Sequence, residues 1–348
     1  MAVRITKPEI NISEKLSELD KPSGVAGESL LRAETPQEAF SLIGAGRKNL
    51  VINGSFNISQ RGDFTTLTPL STGEYFVDRF QTVSGSINSS IQQSTSSIGG
   101  ITCKTLKIHA DTSTSSGYMG LRTNLELGGI IVGETYTISC WVKTNRTDVT
   151  LRVNDFDVTD QNATQVHGGG DKWEHLTMTV PYTGNSVNPF VRIWFGITYA
   201  NGSAAISSGD YIQIAMPQLE LGSVATPFEH RSYGEELALC QRYYQFIGGS
   251  SYQALAQGLH YQAGTATMAN IHFLKEMRVA PSISIRGDII VTNRVSYDDP
   301  VTGLAGIASG KSSAFARFNT GITRVNDSPQ LVAVANGADG GLQLDAEI

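Results

Sequence analysis

The 348-residue sequence predicts a mainly β protein: an extended N-terminal arm with short helices, an antiparallel jelly-roll sandwich, a linker helix and a smaller C-terminal β-domain. Three observations predict it. Beyond residue 48, short runs rich in β-branched and aromatic residues recur every 8–20 positions, broken by Gly, Asn, Ser or Asp. Helix-start patterns gather in the first 48 residues and once more near residue 232. Charge is unevenly spread: residues 1–48 carry 7 Lys/Arg and 7 Asp/Glu, whereas the whole chain is 17% charged, against ~25% in an average soluble protein.

The arm, residues 1–48, holds no aromatic before Phe40 and has little with which to build a core. Asn11 and Glu14 form a capping pair ahead of Glu14–Leu19. Thr35-Pro36-Gln37-Glu38 supplies an N-cap, Pro at the first helical position and Glu at the third, starting a helix over Pro36–Ile43 that stops at Gly44-Ala45-Gly46. Lys21-Pro22-Ser23-Gly24 between them is a turn or linker. Helices this short are marginal alone, so the segment either orders against a partner or stays an unstructured tail. Ile5, Pro8, Leu16, Leu19 and Phe40 are its docking candidates.

Residues 49–231 read as the sandwich. Candidate strands are Thr105–His109, Thr135–Lys143, Val149–Val153, Leu176–Val180, Phe190–Ile197 and Tyr211–Leu219. In the second of these, Tyr136, Ile138, Cys140 and Val142 face one way and Thr137, Ser139, Trp141 and Lys143 the other. Strands at this spacing with no helix between them point to a jelly roll. Residues 232–348 open on a capping box, Ser232 with Glu235, and Phe246-Ile247-Gly248-Gly249 returns the chain to extended structure. Strands are expected at Ala266–Phe273, Ser282–Thr292, Ala314–Asn319, Gln330–Val334 and Leu342–Ala346, and turns at Asn154–Asp157 and Asp298-Asp299-Pro300.

Composition narrows the function. A net charge of −6 and a pI near 5.6 argue against a duplex-binding protein, which needs a basic face. Three scattered cysteines, Cys103, Cys140 and Cys240, do not make a disulfide framework or a zinc site and read as small buried hydrophobes. Apolar stretches such as Gly129–Gly133 are far short of a membrane span. Met1–Pro8 has no apolar signal region, so folding is expected in the cytoplasm where the chain is made. The six histidines are isolated, and Asp155 with Asp157 reads as part of a turn rather than an acid pair. Gly168-Gly169-Gly170 lacks the Lys-Ser/Thr and the helix of a phosphate loop. Arg61-Gly62-Asp63 and Arg286-Gly287-Asp288 repeat one tripeptide by chance. No catalytic, metal or cofactor site is expected. Trp141, Trp173 and Trp194, with Tyr252, Tyr261 and Tyr297 in polar loops, are the candidate glycan platforms, each open to the alternative of packing.

Several strings together resemble bacteriophage fibre proteins: Asn49–Phe56, Ser59–Gly62, Tyr75–Phe80, Pro217–Gly222, Ala225–Glu229, Cys240–Tyr244, Met277–Pro281 and Leu344–Ile348. Ile5–Glu9, Lys15–Pro22 and Gly46–Asn49 are similar to virion-attaching ends of marine-phage (cyanophage-type) tail or head fibres. The resemblance implies a non-enzymatic virion protein assembled in the host cytoplasm. It also implies a homotrimer whose residues 1–48 dock to a capsid, collar or tail protein while its β-domains reach a host-surface polysaccharide, without nucleic acid or membrane as partner. The alternatives are a capsid decoration protein without a receptor role, or a glycan-degrading tailspike. The sandwich also resembles carbohydrate-binding modules of jelly-roll type, with Thr135–Lys143 as their central strand and Asn49–Phe56 as their first. Where those modules use acidic residues for a structural calcium, this chain has Asn57 and Ala215-Met216-Pro217.

Overall fold

The strand-forming runs pair as their alternation requires. The computed structural model describes residues 48–154, 161–184, 188, 190–197, 204–261, 265–293, 295, 298–323, 329–337 and 339–347, with 161–164 and 261 as backbone. The chain divides into two compact units, Met1–Asn49 and Leu50–Ile348. The helices expected over 14–19 and 36–43, and the docking candidates Ile5, Pro8, Leu16, Leu19 and Phe40, lie outside the described residues. Among the described residues are 22 strands and one α-helix, and no helix is long and apolar enough to cross a membrane.

The sandwich is made of two antiparallel sheets. The first runs β1 (Thr68–Leu70), β3 (Ser89–Ile98), β4 (Ile101–Ala110), β12 (Tyr211–Leu221), β6 (Thr135–Thr144), β9 (Trp173–Pro181). The second runs β11 (Ala204–Ile206), β5 (Thr114–Glu126), β10 (Phe190–Ile197), β7 (Val149–Asn154), β8 (Gln161–Val166), and β2 (Phe80–Gly85) also pairs with β5. Tyr136, Ile138, Cys140 and Val142 of β6 meet Leu121 of β5, Leu151 of β7 and Ile193 and Phe195 of β10 in one core. Each such side chain contributes roughly 1.5–3 kcal/mol when fully buried, and the residues between them are left on the two outer faces.

Two further antiparallel sheets form the C-terminal part. One runs β13 (Tyr244–Gly248), β22 (Gly341–Asp345), β16 (Ser282–Arg286). The other runs β18 (Asp298–Pro300), β17 (Ile289–Thr292), β21 (Pro329–Val334), β14 (Ala254–Tyr261), β15 (Ala266–His272), β20 (Ser313–Asn319), β19 (Gly303–Ser309). Their core centres on Ile271, Val291, Phe318, Val332, Leu342 and Leu344.

Three expectations are corrected. Asn49–Phe56 does not form the first strand: Asn53 and Phe56 sit at φ 61° and 56°. The Asn53 amide fixes this turn, donating to the carbonyls of Ile58 and Asp78 at 2.8 Å while its oxygen accepts from Ile58 N. Asp298–Pro300 is a strand rather than a turn, paired with Ile290–Thr292. It forms the sheet's edge, where a proline without an N–H is tolerated. Ser282–Thr292 is two strands in different sheets. They are separated at Gly287, whose φ is 65° and where any Cβ would stand 2.6 Å from Asp339 O, so that no side chain is admitted. The turn expected at Asp155–Asp157 lies outside the described residues.

The α-helix among the described residues, α1 (Tyr233–Cys240), carries the expected box: Glu235 N donates to Ser232 Oγ at 3.4 Å, and Ser232 N donates to the Glu235 carboxylate at 3.2 Å. It leads into a buried polar junction between the two cores. Arg79, wholly buried, lies 3.5 Å from the Tyr243 ring centre and donates to the Glu347 carboxylate and to Asn124 O. Arg61 lies 3.7 Å over Tyr244 and pairs with Asp345 at 3.1 Å and Glu347 at 3.2 Å. Arg286 lies 3.5 Å over Phe246 and donates to Gln60 O and Arg61 O. Both arginines of the repeated Arg-Gly-Asp tripeptide are therefore structural. Arg278 Nε donates to Ala346 O at 3.2 Å at the same place. Strings far apart in sequence that carry the fibre-protein resemblance thus meet at this junction.

Candidate functional site

Alternation decides which side chains the first sheet presents outward. With Ile138, Cys140 and Val142 committed to the core, β6 turns Trp141 and Lys143 outward. Leu176, Met178 and Val180 are likewise inside, so β9 turns Trp173 and His175 to the same face. The register sets Trp141 opposite His175 and Lys143 opposite Trp173. The two tryptophans are diagonal neighbours, a spacing of about 7–8 Å between backbones that large side chains bridge. Both are half-buried, and the Trp141 ring stands 5.0 Å from that of His175 at 39°.

Polar groups continue the face across the sheet. Gln213 of β12 is in register with Lys143 and with Lys107 of β4. Its amide donates to Thr105 Oγ1 at 2.7 Å. Lys107 lies 4.2 Å over the Tyr211 ring, and the Tyr211 hydroxyl donates to Asp171. Burial, with the neighbouring Lys143 adding to it, pulls the Lys107 pKa below its ordinary value.

The chain after β12 folds back over this face because Glu220 and Gln218, buried on β12, accept from its backbone N–H groups. Glu220 accepts from Thr226 N and Gln218 Nε2, each at 2.8 Å, and Gln218 Oε1 accepts from Glu229 N at 2.9 Å. Phe228 is thereby laid beside Met216, and Trp141, Trp173, Cys103 and Phe228 pack on Ile98, Ala215 and Met216.

Of the aromatic candidates, Trp141 and Trp173 are therefore brought together. Trp194 belongs to the outer face of the second sheet, across the core, because Ile193 and Phe195 beside it point inward. Its ring covers Gly120 and Gly196, where a Cβ would come within 2.9 Å and 2.1 Å of it. It stands in register between Arg122 and Arg152 and is 8% exposed, so it packs against its own sheet. Tyr252 is half-buried in a turn, where its hydroxyl donates to Asp298 at 3.1 Å. Tyr261, expected in a loop, instead ends β14 paired with Ala266; its side chain and Tyr297 lie outside the described residues. Lys143 and His175 could have been read from period-two spacing to the tryptophans. Phe228, Gln213 and Lys107 could not, since only the strand order brings them near.

The arrangement suits binding by ring stacking and hydrogen bonding. Among the described residues no group of three or more His, Cys, Asp or Glu could hold a metal ion. Asn57, at the calcium position of the modules the sandwich resembles, is exposed and donates to Ser55 Oγ at 3.1 Å. The triglycine closes a turn, Gly168 N donating to Glu174 and Gly169 N to His167 Nδ1.

No protein-family model matches the sequence, and no curated protein matches it. Solved structures to which the chain is similar include TmCBM61 in complex with β-1,4-galactotriose, at 13% identity and a TM-score of 0.31, covering 51% of this chain and 100% of that one. The C-terminal family 22 carbohydrate-binding module of Clostridium thermocellum Xyn10B is similar at 14% identity and a TM-score of 0.30, covering 45% of this chain and 100% of that one. The enzymatically active domain of bacteriophage CBA120 tailspike protein 4 is similar at 14% identity and a TM-score of 0.30, covering 50% of this chain and 21% of that one.

Proposed function

We propose that the sandwich binds glycan on the outer face of its first sheet, and that the chain is a non-enzymatic fibre or appendage protein of a bacteriophage particle. The observation that carries the binding reading is the pairing of two half-exposed tryptophans, Trp141 and Trp173, with Lys143 and His175 on one sheet face. Indole rings offer flat apolar surfaces to the C–H face of a sugar, and the lysines and His175 offer partners to its hydroxyls. The fibre-protein strings support the particle reading. On it, residues 1–48 dock to a capsid, collar or tail protein, the assembly is a homotrimer, and the glycan is a host-surface polysaccharide.

An oligosaccharide array with wild type and Trp141→Ala tests the binding reading. The expected outcome is a defined set of bound sugars, lost by at least about tenfold in the variant, a change of ~1.4 kcal/mol. A wild-type chain that binds nothing on the array would end this reading. For the particle reading, a chain lacking residues 1–48 should keep its β structure and fail to enter particles. Incorporation of the truncated chain would contradict it.

A further inference from the structure

Beside the tryptophans the first sheet is interrupted. The register of β12 to β6 slips between Ala215 and Gln218, and Met216 is held there at φ 52°. That left-handed conformation costs a non-glycine residue roughly 1–3 kcal/mol and persists only where its surroundings enforce it. Met216 forms one wall of a pocket of 190 Å³, with Phe228, His230, Asn57, Thr95, Thr102 and Lys104 around it.

The chemistry of this lining is mixed in a particular way. Its lining residues supply two threonine hydroxyls, an amide and an ammonium together with a thioether and two rings. A sugar ring has the matching character, with hydroxyls around its rim and C–H groups on its faces. The volume is below the ~300 Å³ at which pockets for drug-sized ligands begin, a space on the scale of a single ring.

The pocket adjoins the tryptophan cluster. Met216, Phe228 and Cys103 of its wall belong to the same packed cluster as Trp141 and Trp173. Ala215, next to Met216, stands opposite Trp141 in the sheet. From this juxtaposition we infer that the sandwich reads a glycan by its chain end: the terminal sugar enters the pocket at Met216 and the following residues run across Trp141 and Trp173. This inference rests on the glycan reading above.

The probe is the oligosaccharide bound most tightly on the array, used as a free short chain and as the long polymer of the same repeat. At equal sugar mass, a chain-end reader binds the short form in proportion to its greater number of ends. The plugging variant Thr102→Phe changes an exposed strand residue away from the tryptophans. It should weaken binding of the short chain by roughly tenfold or more with an unchanged melting temperature. Asn57→Trp plugs the pocket from a separate loop and should do the same, so that a folding defect in one variant leaves the other decisive. Binding within about twofold of wild type in a folded plugged variant, with Trp141→Ala still inactive, would overturn the chain-end inference and leave the glycan reading standing. Equal binding of polymer and short chain at equal mass would overturn it as well. Failure of wild type to bind any sugar would instead sink both.

Discussion

Asp78 sits within the junction, accepting from Gln60 N at 3.1 Å and from the Gln60 side-chain amide. Burial pushes its pKa up to about 6, against the pull of Gln60 and Arg61. A carboxyl raised in the folded state holds a proton that the unfolded chain, near 3.8, has already released. Its contribution to stability is therefore full below that lower value and lost as pH rises through about 6. The loss is on the order of 3 kcal/mol across the window. Melting temperatures taken between pH 4 and 7 should fall with pH in wild type and fall less in Asp78→Asn. Parallel curves for the two proteins would exclude Asp78 as the source. Trp194 makes a different point at the same scale. A tryptophan reads alike in any strand, and only the glycines at 120 and 196 beneath its ring, with its neighbours Arg122 and Arg152, made it a packing residue.

Elements were legible where the alternation was strong. The six strands expected in the sandwich are all present, β6 with its two alternating sets, of which the structure buries the one with Tyr136, and the capping box at Ser232 starts α1. Replacing Ser232 by Ala should cost ~1 kcal/mol, since it removes an acceptor for a first-turn N–H. An unchanged denaturant midpoint would show the helix to be held by packing alone. Strands hidden from the sequence were those whose residues do not favour strands by themselves. β3 is mostly Ser and Gln, and β5 contains Gly117 and Gly120. Both are held by several neighbours, β3 by β1 and β4, and β5 by β10, β2 and β11. The same context split Ser282–Thr292 at Gly287. A Gly287→Ala chain should be destabilised by roughly 1–3 kcal/mol, because its left-handed φ and the nearby Asp339 carbonyl both resist a Cβ. Wild-type thermal stability in that variant would mean that the 287–288 turn yields freely.

Across the whole molecule, Glu347 receives both Arg61 and Arg79 between two separate hydrophobic cores. Removing one member of a buried ionic group leaves charge uncompensated, at a cost of about 3–5 kcal/mol. Glu347→Gln should lower the melting temperature and split one calorimetric transition into two as the cores unfold independently. A single peak at the wild-type temperature would mean that the junction does not couple them.

By itself the sequence determined the β class, the two alternating side-chain sets of the strongest strands, the position of α1 and the choice of tryptophan as the candidate contact residue. Those follow from local periodicity and capping, which act over a few residues. Only the tertiary structure decided that Trp141 and Trp173 share a face while Trp194 lies across the core, that the Arg-Gly-Asp arginines are internal, and that a pocket opens at Met216. Strand order and register bring together residues far apart along the chain, such as Trp141 with His175 and Arg61 with Glu347. No local pattern encodes such pairings, because burying the two cores together is what selects them.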